Sequence, residues 1–257
     1  LFPVIDREGR IKPAILAIIE EALSANVEEI GVIIQSADRG IFEDFLHTPP
    51  GIENFNKLSR ANQEYSQYIL ELGSRVTFIT QDIQDGFGHA VFRAREWVNG
   101  EPFLLLLGDH LYESDGESAC ARQLMDVYER CNTSVVGLKV SPAEDIRHFG
   151  VVAGIWERED FILTATEIAE KPELEYAREK LQVDGLPENH YLTLFGQYIL
   201  KPQIFDYLEE NISHNIRERG EFQLTSCIDR LRREDGLAGC LIKGKAFDIG
   251  NPEAYLR

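Results

Sequence analysis

The sequence predicts an α/β fold in which a mixed, mostly parallel sheet is covered by helices on both faces. Segments with apolar residues at helical spacing alternate with short, continuously apolar segments through the first half of the chain. Continuous apolar runs are typical of strands buried on both faces. Of the 257 residues, 44% are hydrophobic and 27% are charged, which is enough apolar material for a sizeable core.

The first half of the chain supplies the alternating elements. Helices are predicted at residues 13–25, 40–46, 63–72, 88–98 and 117–130. Buried strands are predicted between them, at residues 29–34, 75–80, 103–107 and 133–140. The segment 48–56 contains two prolines and a glycine and is predicted to be a loop.

The pattern changes from Phe149 onwards, where strand-like segments outnumber helical ones. Strands are predicted at residues 150–156, 161–168, 191–200 and 238–242, and helices at 173–181, 203–208 and 222–233. This arrangement favours an antiparallel subdomain packed on the sheet. The sequence therefore predicts one domain with two lobes, residues 1–148 and 149–257.

Charge and cysteine content exclude several classes of function. A formal net charge of −18 argues against nucleic-acid partners and against binding to an anionic membrane surface. Phosphate-bearing ligands would instead require locally placed cations or a divalent metal ion. The cysteines form no C-x-x-C pair and are expected to be buried and reduced, as in a cytoplasmic protein; they are Cys120, Cys131, Cys227 and Cys240.

Two carboxylates follow predicted strands at positions where ligands bind in open α/β sheets. Asp109 comes after the apolar strand and Gly108, so it is either a Mg²⁺ ligand or a cap of the next element. Asp248 follows the last predicted strand and could share the same metal ion.

Two further segments have ligand-binding and ordinary interpretations. Gln81 could read a base edge, and the glycines of Gly86-Phe87-Gly88 allow close backbone contact, although taken alone these glycines favour a plain loop. Glu170 and Lys171 could hold sugar hydroxyls and a phosphate, or could be a solvated ion pair.

Single glycines and histidines add weaker signals. Gly196 lies inside an apolar strand, where glycine often marks a place at which a ligand lies against the backbone. His89, His110 and His148 have no metal-ligand spacing and are predicted to be structural or solvent-facing. The sequence contains no G-x-S-x-G, H-E-x-x-H or Walker motif.

Taken in order, these fragments resemble sugar-1-phosphate nucleotidyltransferases, especially the bacterial glucose-1-phosphate uridylyltransferases. The resemblance begins at Leu1-Phe2-Pro3-Val4 and extends over nearly the whole chain. Its other matching segments begin at Lys12, Gln81, Gly86, Gly108, Phe149, Glu170, Gly196, Gly220 and Asp248. The family has a Rossmann-like fold, and the resemblance assigns nucleotide binding to residues 1–148 and sugar binding to 149–257.

The resemblance implies specific roles for the candidate residues. Gln81 and Gly86 would contact uracil, and Asp109 and Asp248 would hold Mg²⁺. The sugar 1-phosphate pocket would be lined by Gly150, Glu170, Lys171 and Gly196, with Lys171 near the phosphate. The implied reaction joins UTP to glucose 1-phosphate in carbohydrate metabolism, giving UDP-glucose, a nucleotide sugar, and pyrophosphate. A homo-oligomer is expected, with no nucleic-acid or membrane partner.

The sequence departs from the family pattern at its beginning. The family places a glycine-rich loop ending in Gly-Thr-Arg, and then a lysine, ahead of the segment that matches Leu1. Without that loop the chain is expected to be impaired in catalysis. Thymidylyl, adenylyl or cytidylyl transfer remains an alternative, as does a non-catalytic nucleotide-sugar-binding subunit or an interaction scaffold.

Overall fold

The computed structural model of the chain describes residues 2–5, 9–157 and 161–250. The chain divides into two compact units, here called the large unit (Leu1–Val27 and Gly86–Arg257) and the small unit (Glu28–Asp85). The expected lobe boundary between residues 148 and 149 falls inside the large unit, so the assignment of a nucleotide lobe and a sugar lobe stays a prediction. Leu1 of the first matching motif and residues 251–257 lie outside the described residues.

The described residues contain the following regular elements. The strands are β1 (Pro3–Ile5), β2 (Ile11–Pro13), β3 (Ile30–Ile34), β4 (Val76–Thr80), β5 (Phe103–Leu106), β6 (His110–Ser114), β7 (Val135–Pro142), β8 (Gly150–Trp156), β9 (Ile162–Glu170), β10 (His190–Leu200), β11 (Ala238–Leu241) and β12 (Gly244–Asp248). The helices are α1 (Ala14–Leu23), α2 (Arg39–Leu46), α3 (Ile52–Phe55), α4 (Arg60–Gly73), α5 (Phe87–Phe92), α6 (Arg95–Val98), α7 (Cys120–Cys131), α8 (Leu174–Lys180), α9 (Ile204–Ser213) and α10 (Thr225–Asp235).

The large unit is built on a six-stranded mixed sheet with the order β5-β10-β7-β11-β9-β8. The α/β class is therefore confirmed, but the expectation of mostly parallel pairing is not met within this sheet. Only β7 and β11 pair in parallel, because the long strand β10 inserts antiparallel between β5 and β7. An apolar strand is buried on both faces whichever way its neighbours run, so the apolar pattern alone could not reveal the direction.

Helices pack on both faces of this sheet, as the sequence predicts. Successive residues of β7 point to opposite faces. Val135 belongs to the buried cluster that includes α7, whereas Val136 and Leu138 belong to the cluster that includes α9 and α10. The sheet is thus the central layer of the large unit.

The small unit contains β3 and β4, which pair in parallel, together with α2, α3 and α4. Its helices and strands match the predicted segments. The predicted loop at 48–56 instead contains the one-turn helix α3, which begins directly after Gly51. A proline disfavours a helix that ends just before it more strongly than a helix that begins after it. Pro49 and Pro50 both precede α3, so they are compatible with this one-turn helix.

Four strands of the large unit were not predicted from the sequence, namely β1 and β2, which pair with each other, and β6 and β12. β6 and β12 mix polar and apolar residues and pair with each other in antiparallel register. The predicted single helix at 88–98 is divided into α5 and α6. None of the described helices has the length and apolar character needed to cross a lipid bilayer.

The cysteines are free thiols, and three of them, Cys120, Cys227 and Cys240, are buried. Burial raises the pKa of Cys120 and Cys240 to about 12 and that of Cys227 to about 11. Only Cys131 is partly accessible. All four cysteines are therefore unpaired in disulfide terms, as expected. The three buried thiols pack in the interior, where their raised pKa values make them unreactive.

We expect iodoacetamide at pH 8 to alkylate Cys131 in the native chain while the other three thiols react only on unfolding. The thiolate is the reactive form, and at this pH it would be about a thousandth or less of each buried thiol. Mass spectrometry of the labelled peptides measures the order of reaction. Labelling of Cys240 as fast as Cys131 in the folded chain would contradict this account.

Candidate active site

The turn between β5 and β6, which carries Asp109, is fixed to the neighbouring strand β10. The Tyr112 hydroxyl donates to the carbonyl oxygen of Gly196 at 2.8 Å and accepts from the Leu107 N–H at 3.2 Å. The Leu107 N–H also reaches the Gly196 carbonyl, at 3.3 Å. A buried tyrosine thus holds the turn where β5 ends.

Gly196 allows this close approach. Its φ is +94°, and the register of β10 against β7 shifts between Leu194 and Tyr198. A Cβ atom at Gly196 would lie 3.0 Å from Leu107 Cδ1 and 3.4 Å from His110 Cδ2. The glycine is therefore required by the backbone, and its contact with a sugar stays a prediction.

Asp109 and Asp248 come together because β6 and β12 are neighbours. Their register places Asp248 opposite His110, and the Ile249 N–H donates to the Asp109 carbonyl oxygen at 2.8 Å. One side-chain ligand atom from each of Asp109, His110 and Asp248 lies within 4.8 Å of the others. The two predicted carboxylates thus form one cluster, to which the structure adds a histidine.

The cluster has the chemistry of a divalent-metal site. His110 Nδ1 lies 2.8 Å from Asp109 Oδ1, and this hydrogen bond holds the pKa of Asp109 below its ordinary value against the effect of burial. A Cβ atom at Gly250 would lie 3.1 Å from Asp109 Oδ2 and 3.2 Å from Asp248 Oδ1. The missing side chain therefore leaves room beside two carboxylates, which are hard oxygen ligands.

His110 was predicted to be structural or solvent-facing, but it belongs to this cluster with only 12% of its side chain exposed. The only sequence feature that could have linked His110 to the site is its position directly after Asp109. The hydrogen bond between its ring and the Asp109 carboxylate, and the β6–β12 pairing that brings Asp248 opposite it, are seen only in the structure.

A second cluster forms where β8 begins and β9 ends. Gly150 pairs with Glu170 across the two strands, and a Cβ atom at Gly150 would lie 3.2 Å from Glu170 Oε2. The Thr225 hydroxyl donates to the same oxygen at 2.7 Å. Lys171 Nζ is 3.8 Å from Glu170 Oε1. Glu170 is therefore partly buried and oriented, whereas the Lys171 side chain remains exposed.

Lys171 has an unusual backbone conformation for a lysine. Its φ is +45°, in the left-handed region, where residues other than glycine are uncommon. Its N–H donates to the Phe149 carbonyl at 3.0 Å, and its own carbonyl accepts from Arg219 Nη2 at 3.2 Å. Strained conformations of this kind concentrate at functional sites, which supports a ligand-binding role for the segment.

The glycines of the Gly86-Phe87-Gly88 turn are explained by packing against a second segment. Gly86 has a φ of +103°, and the Gly88 N–H donates to the Phe222 carbonyl at 2.8 Å. Cβ atoms at Gly86 and Gly88 would lie 2.7 and 2.8 Å from that carbonyl oxygen. The turn is thus fitted to the segment that leads to Thr225, and a uracil contact by Gly86 stays a prediction.

Gln81 lies in the small unit, directly after β4, and its N–H donates to the Ile34 carbonyl at 2.9 Å. This places the residue at the carboxyl end of the β3–β4 pair, as the strand pattern predicts. Its contact with a nucleotide base stays a prediction.

Sequence reasoning missed Lys139, Arg219 and Thr225. Thr225 orients Glu170, and Arg219 binds the backbone of Lys171. Lys139 lies in β7 with its Nζ 4.1 Å from the centroid of the Phe149 ring. The sequence does not show which distant group such a polar side chain contacts, because the contact depends on how the strands and loops pack.

The whole chain, residues 1–257, matches the nucleotidyl transferase family. A UTP–glucose-1-phosphate uridylyltransferase of Staphylococcus epidermidis is 31% identical over 259 residues, covering 100% of this chain and 82% of that protein. A protein of the same name, UTP–glucose-1-phosphate uridylyltransferase 1 of Streptococcus pyogenes serotype M3, is 30% identical over 260 residues, covering 100% of this chain and 79% of its own length.

Solved structures give the same result. An apo UDP-glucose pyrophosphorylase is 26% identical and superposes with a TM-score of 0.80, covering 95% of this chain and 84% of that one. A UDP-glucose pyrophosphorylase complexed with UDP-glucose is 25% identical, with a TM-score of 0.76 and the same coverage. The resemblance seen in the sequence motifs is confirmed over the full length of the chain. The chain belongs to the nucleotidyl transferase family.

Proposed function

We propose that this chain transfers the uridylyl group of UTP to glucose 1-phosphate, forming UDP-glucose and pyrophosphate. The observation that carries the proposal is the convergence of Asp109 and Asp248 in one cluster of the large unit. The choice of nucleotide and sugar is supported by the relatives named for this reaction and by the neighbour complexed with UDP-glucose.

In this reaction an oxygen of the sugar phosphate attacks the α-phosphorus of UTP, and the bond from that phosphorus to the pyrophosphate leaving group breaks. The attacking oxygen is already ionised, so no protein base is required. Asp109 and Asp248 would hold Mg²⁺, which when bound neutralises charge that develops on phosphate oxygens. The site contributes position and charge rather than a nucleophile.

The second cluster has the properties required to hold the sugar phosphate. Glu170 keeps an oriented carboxylate because Thr225 donates to it, and carboxylates accept strongly from sugar hydroxyls. Lys171 supplies a cation beside it for the phosphate. A Cβ atom at position 150 would clash with Leu194 Cδ1 at 2.5 Å and would also crowd the Glu170 carboxylate, so the glycine is required by packing as well.

Ligand-dependent thermal stability tests the proposal. We expect UDP-glucose with Mg²⁺ to raise the melting temperature of the full chain, while dTDP-, ADP- and CDP-glucose have little effect. Binding to the native state alone adds about 2.7 kcal/mol at a hundredfold excess over Kd.

Equal shifts with all four nucleotide sugars would overturn the choice of UTP. If none of the four nucleotide sugars raises the melting temperature, nucleotide-sugar binding by this chain is contradicted. UDP without the sugar serves as the matched ligand control and separates recognition of the nucleotide from recognition of glucose.

A further inference from the structure

Lys139 is a half-buried cation that the reaction described above does not yet use. It lies in β7, opposite Thr193 of β10, and its Nζ is 4.1 Å from the centroid of the Phe149 ring. Within the part of the chain that the structure describes, its ammonium group has no hydrogen-bond acceptor and no carboxylate oxygen within 4.0 Å. A ring face attracts a cation but does not accept its N–H groups in the way that an anion does.

One side of Lys139 adjoins the proposed sugar-phosphate cluster. Phe149, on which the ammonium lies, accepts the Lys171 N–H at 3.0 Å through its carbonyl oxygen and directly precedes Gly150. The same residue thus supports the Lys139 ammonium and the Lys171 backbone. This geometry fixes the position of Lys139 relative to the cluster.

Lys139 also lies within electrostatic range of two carboxylates, one of which, Asp248, belongs to the proposed metal cluster. The negative charges of Asp145 and Asp248 act on its ammonium group, although burial is the larger effect and leaves the pKa of Lys139 below its ordinary value. Lys139 is thus in contact with Phe149, which borders the segment of Glu170 and Lys171, and the charge of Asp248 acts on it.

This position has two electrostatic consequences. An ammonium group that has lost part of its water shell gains from a ligand that supplies anionic acceptors. The same positive charge near Asp248 opposes the binding of a divalent cation when no phosphate is present.

We propose that Lys139 binds the phosphate that links nucleotide and sugar, and that it weakens metal binding at Asp109 and Asp248 until that phosphate arrives. The inference rests on the proposed function and adds a residue and a coupling to it. Metal and nucleotide sugar then favour each other's binding, because the phosphate neutralises the charge that opposes the metal.

The test compares metal binding and nucleotide-sugar binding in the full chain with wild-type residues, Lys139→Met, Lys139→Gln and Lys139→Arg. Mn²⁺ is the metal probe, since it accepts the same oxygen ligands as Mg²⁺ and its free form is measured by electron paramagnetic resonance. UDP-glucose binding is then measured by calorimetry at saturating Mn²⁺.

We expect Lys139→Met and Lys139→Gln to bind Mn²⁺ about threefold to tenfold more tightly without nucleotide, and UDP-glucose about tenfold or more weakly. Lys139→Arg should retain both wild-type affinities, since it keeps the charge. The matched control is Lys201→Met, which removes a part-buried lysine paired with Asp235 beyond the opposite end of β7. It should bind both ligands as the wild type does.

A loss of charge should strengthen Mn²⁺ binding and weaken UDP-glucose binding. Structural damage would instead weaken the binding of both ligands. A parallel loss, or neutral variants that bind both ligands like the wild type, would overturn the role of Lys139 alone. If the wild type itself fails to bind UDP-glucose, the proposed function fails and the inference fails with it. Two neutral variants keep the comparison available should one of them be unstable.

Discussion

Replacing Asp109 with asparagine is expected to lower metal-dependent turnover by about a thousandfold or more while leaving the fold intact. Asp109 lies at the end of β5, with 58% of its side chain exposed, so removing its charge disturbs no core contact. The hydrogen bond from His110 keeps the pKa of Asp109 below its ordinary value, so the carboxylate is ionised at neutral pH. Steady-state kinetics with UTP and glucose 1-phosphate over a range of Mg²⁺ concentrations measures the effect.

Asp115→Asn is the matched control for this change. Asp115 is an exposed carboxylate that directly follows β6 and lies outside the cluster. Its loss should leave turnover unchanged within about twofold, as for surface substitutions generally. Full activity of Asp109→Asn, with an unchanged Mg²⁺ requirement, would show that the cluster is not the metal site.

Replacing Gly86 with valine is expected to lower the free energy of unfolding by about 3 kcal/mol or more. A Cβ atom there would lie 2.7 Å from the carbonyl oxygen and 2.9 Å from the nitrogen of Phe222, both of them backbone atoms. The φ of +103° adds strain for a β-branched residue. Urea denaturation followed by circular dichroism measures the loss.

Gly108→Ala is the matched control for stability, because a Cβ atom at Gly108 has nothing within 4 Å. We expect its free energy of unfolding to stay within about 0.5 kcal/mol of the wild type. A Gly86→Val variant as stable as this control would mean that the turn and the Phe222 segment are not packed as described.

The regular elements were largely predictable because burial leaves a repeating pattern. β10 is almost wholly buried, β7 is buried over its first four residues, and helices such as α7 show one apolar face. The direction of pairing was not predictable, because an inserted antiparallel strand and a parallel neighbour bury the same side chains. The inserted position of β10 therefore appears only in the structure.

The candidate site was predictable in its residues but not in its construction. Asp109 and Asp248 each follow an apolar run, and their order along the chain resembles that of the family. The strands that join them, β6 and β12, have no clear periodicity and were missed. His110 and Lys139 were missed as site residues because their partners are set by strand register and by a ring distant in sequence.

The second cluster shows the same limit. Glu170 and Lys171 could equally have been a solvated pair, and only the hydrogen bond from Thr225 and the positive φ of Lys171 favour a ligand-binding role. The glycines at 86 and 88 had two interpretations, close ligand contact or a plain loop, and the structure shows that contact with the Phe222 backbone requires both. The presence of a glycine alone therefore does not show whether a ligand or another backbone segment lies against it.

Phosphorus NMR of the full chain with UTP, glucose 1-phosphate and Mg²⁺ tests the central claim most directly. The account predicts that, over an incubation long enough for the slow turnover expected of a chain without the glycine-rich loop, the UTP and sugar-phosphate signals give way to equal amounts of UDP-glucose and pyrophosphate. Asp109→Asn should not produce them under the same conditions. Unchanged UTP and glucose 1-phosphate signals in the presence of folded protein, or products formed equally well by Asp109→Asn, would contradict it.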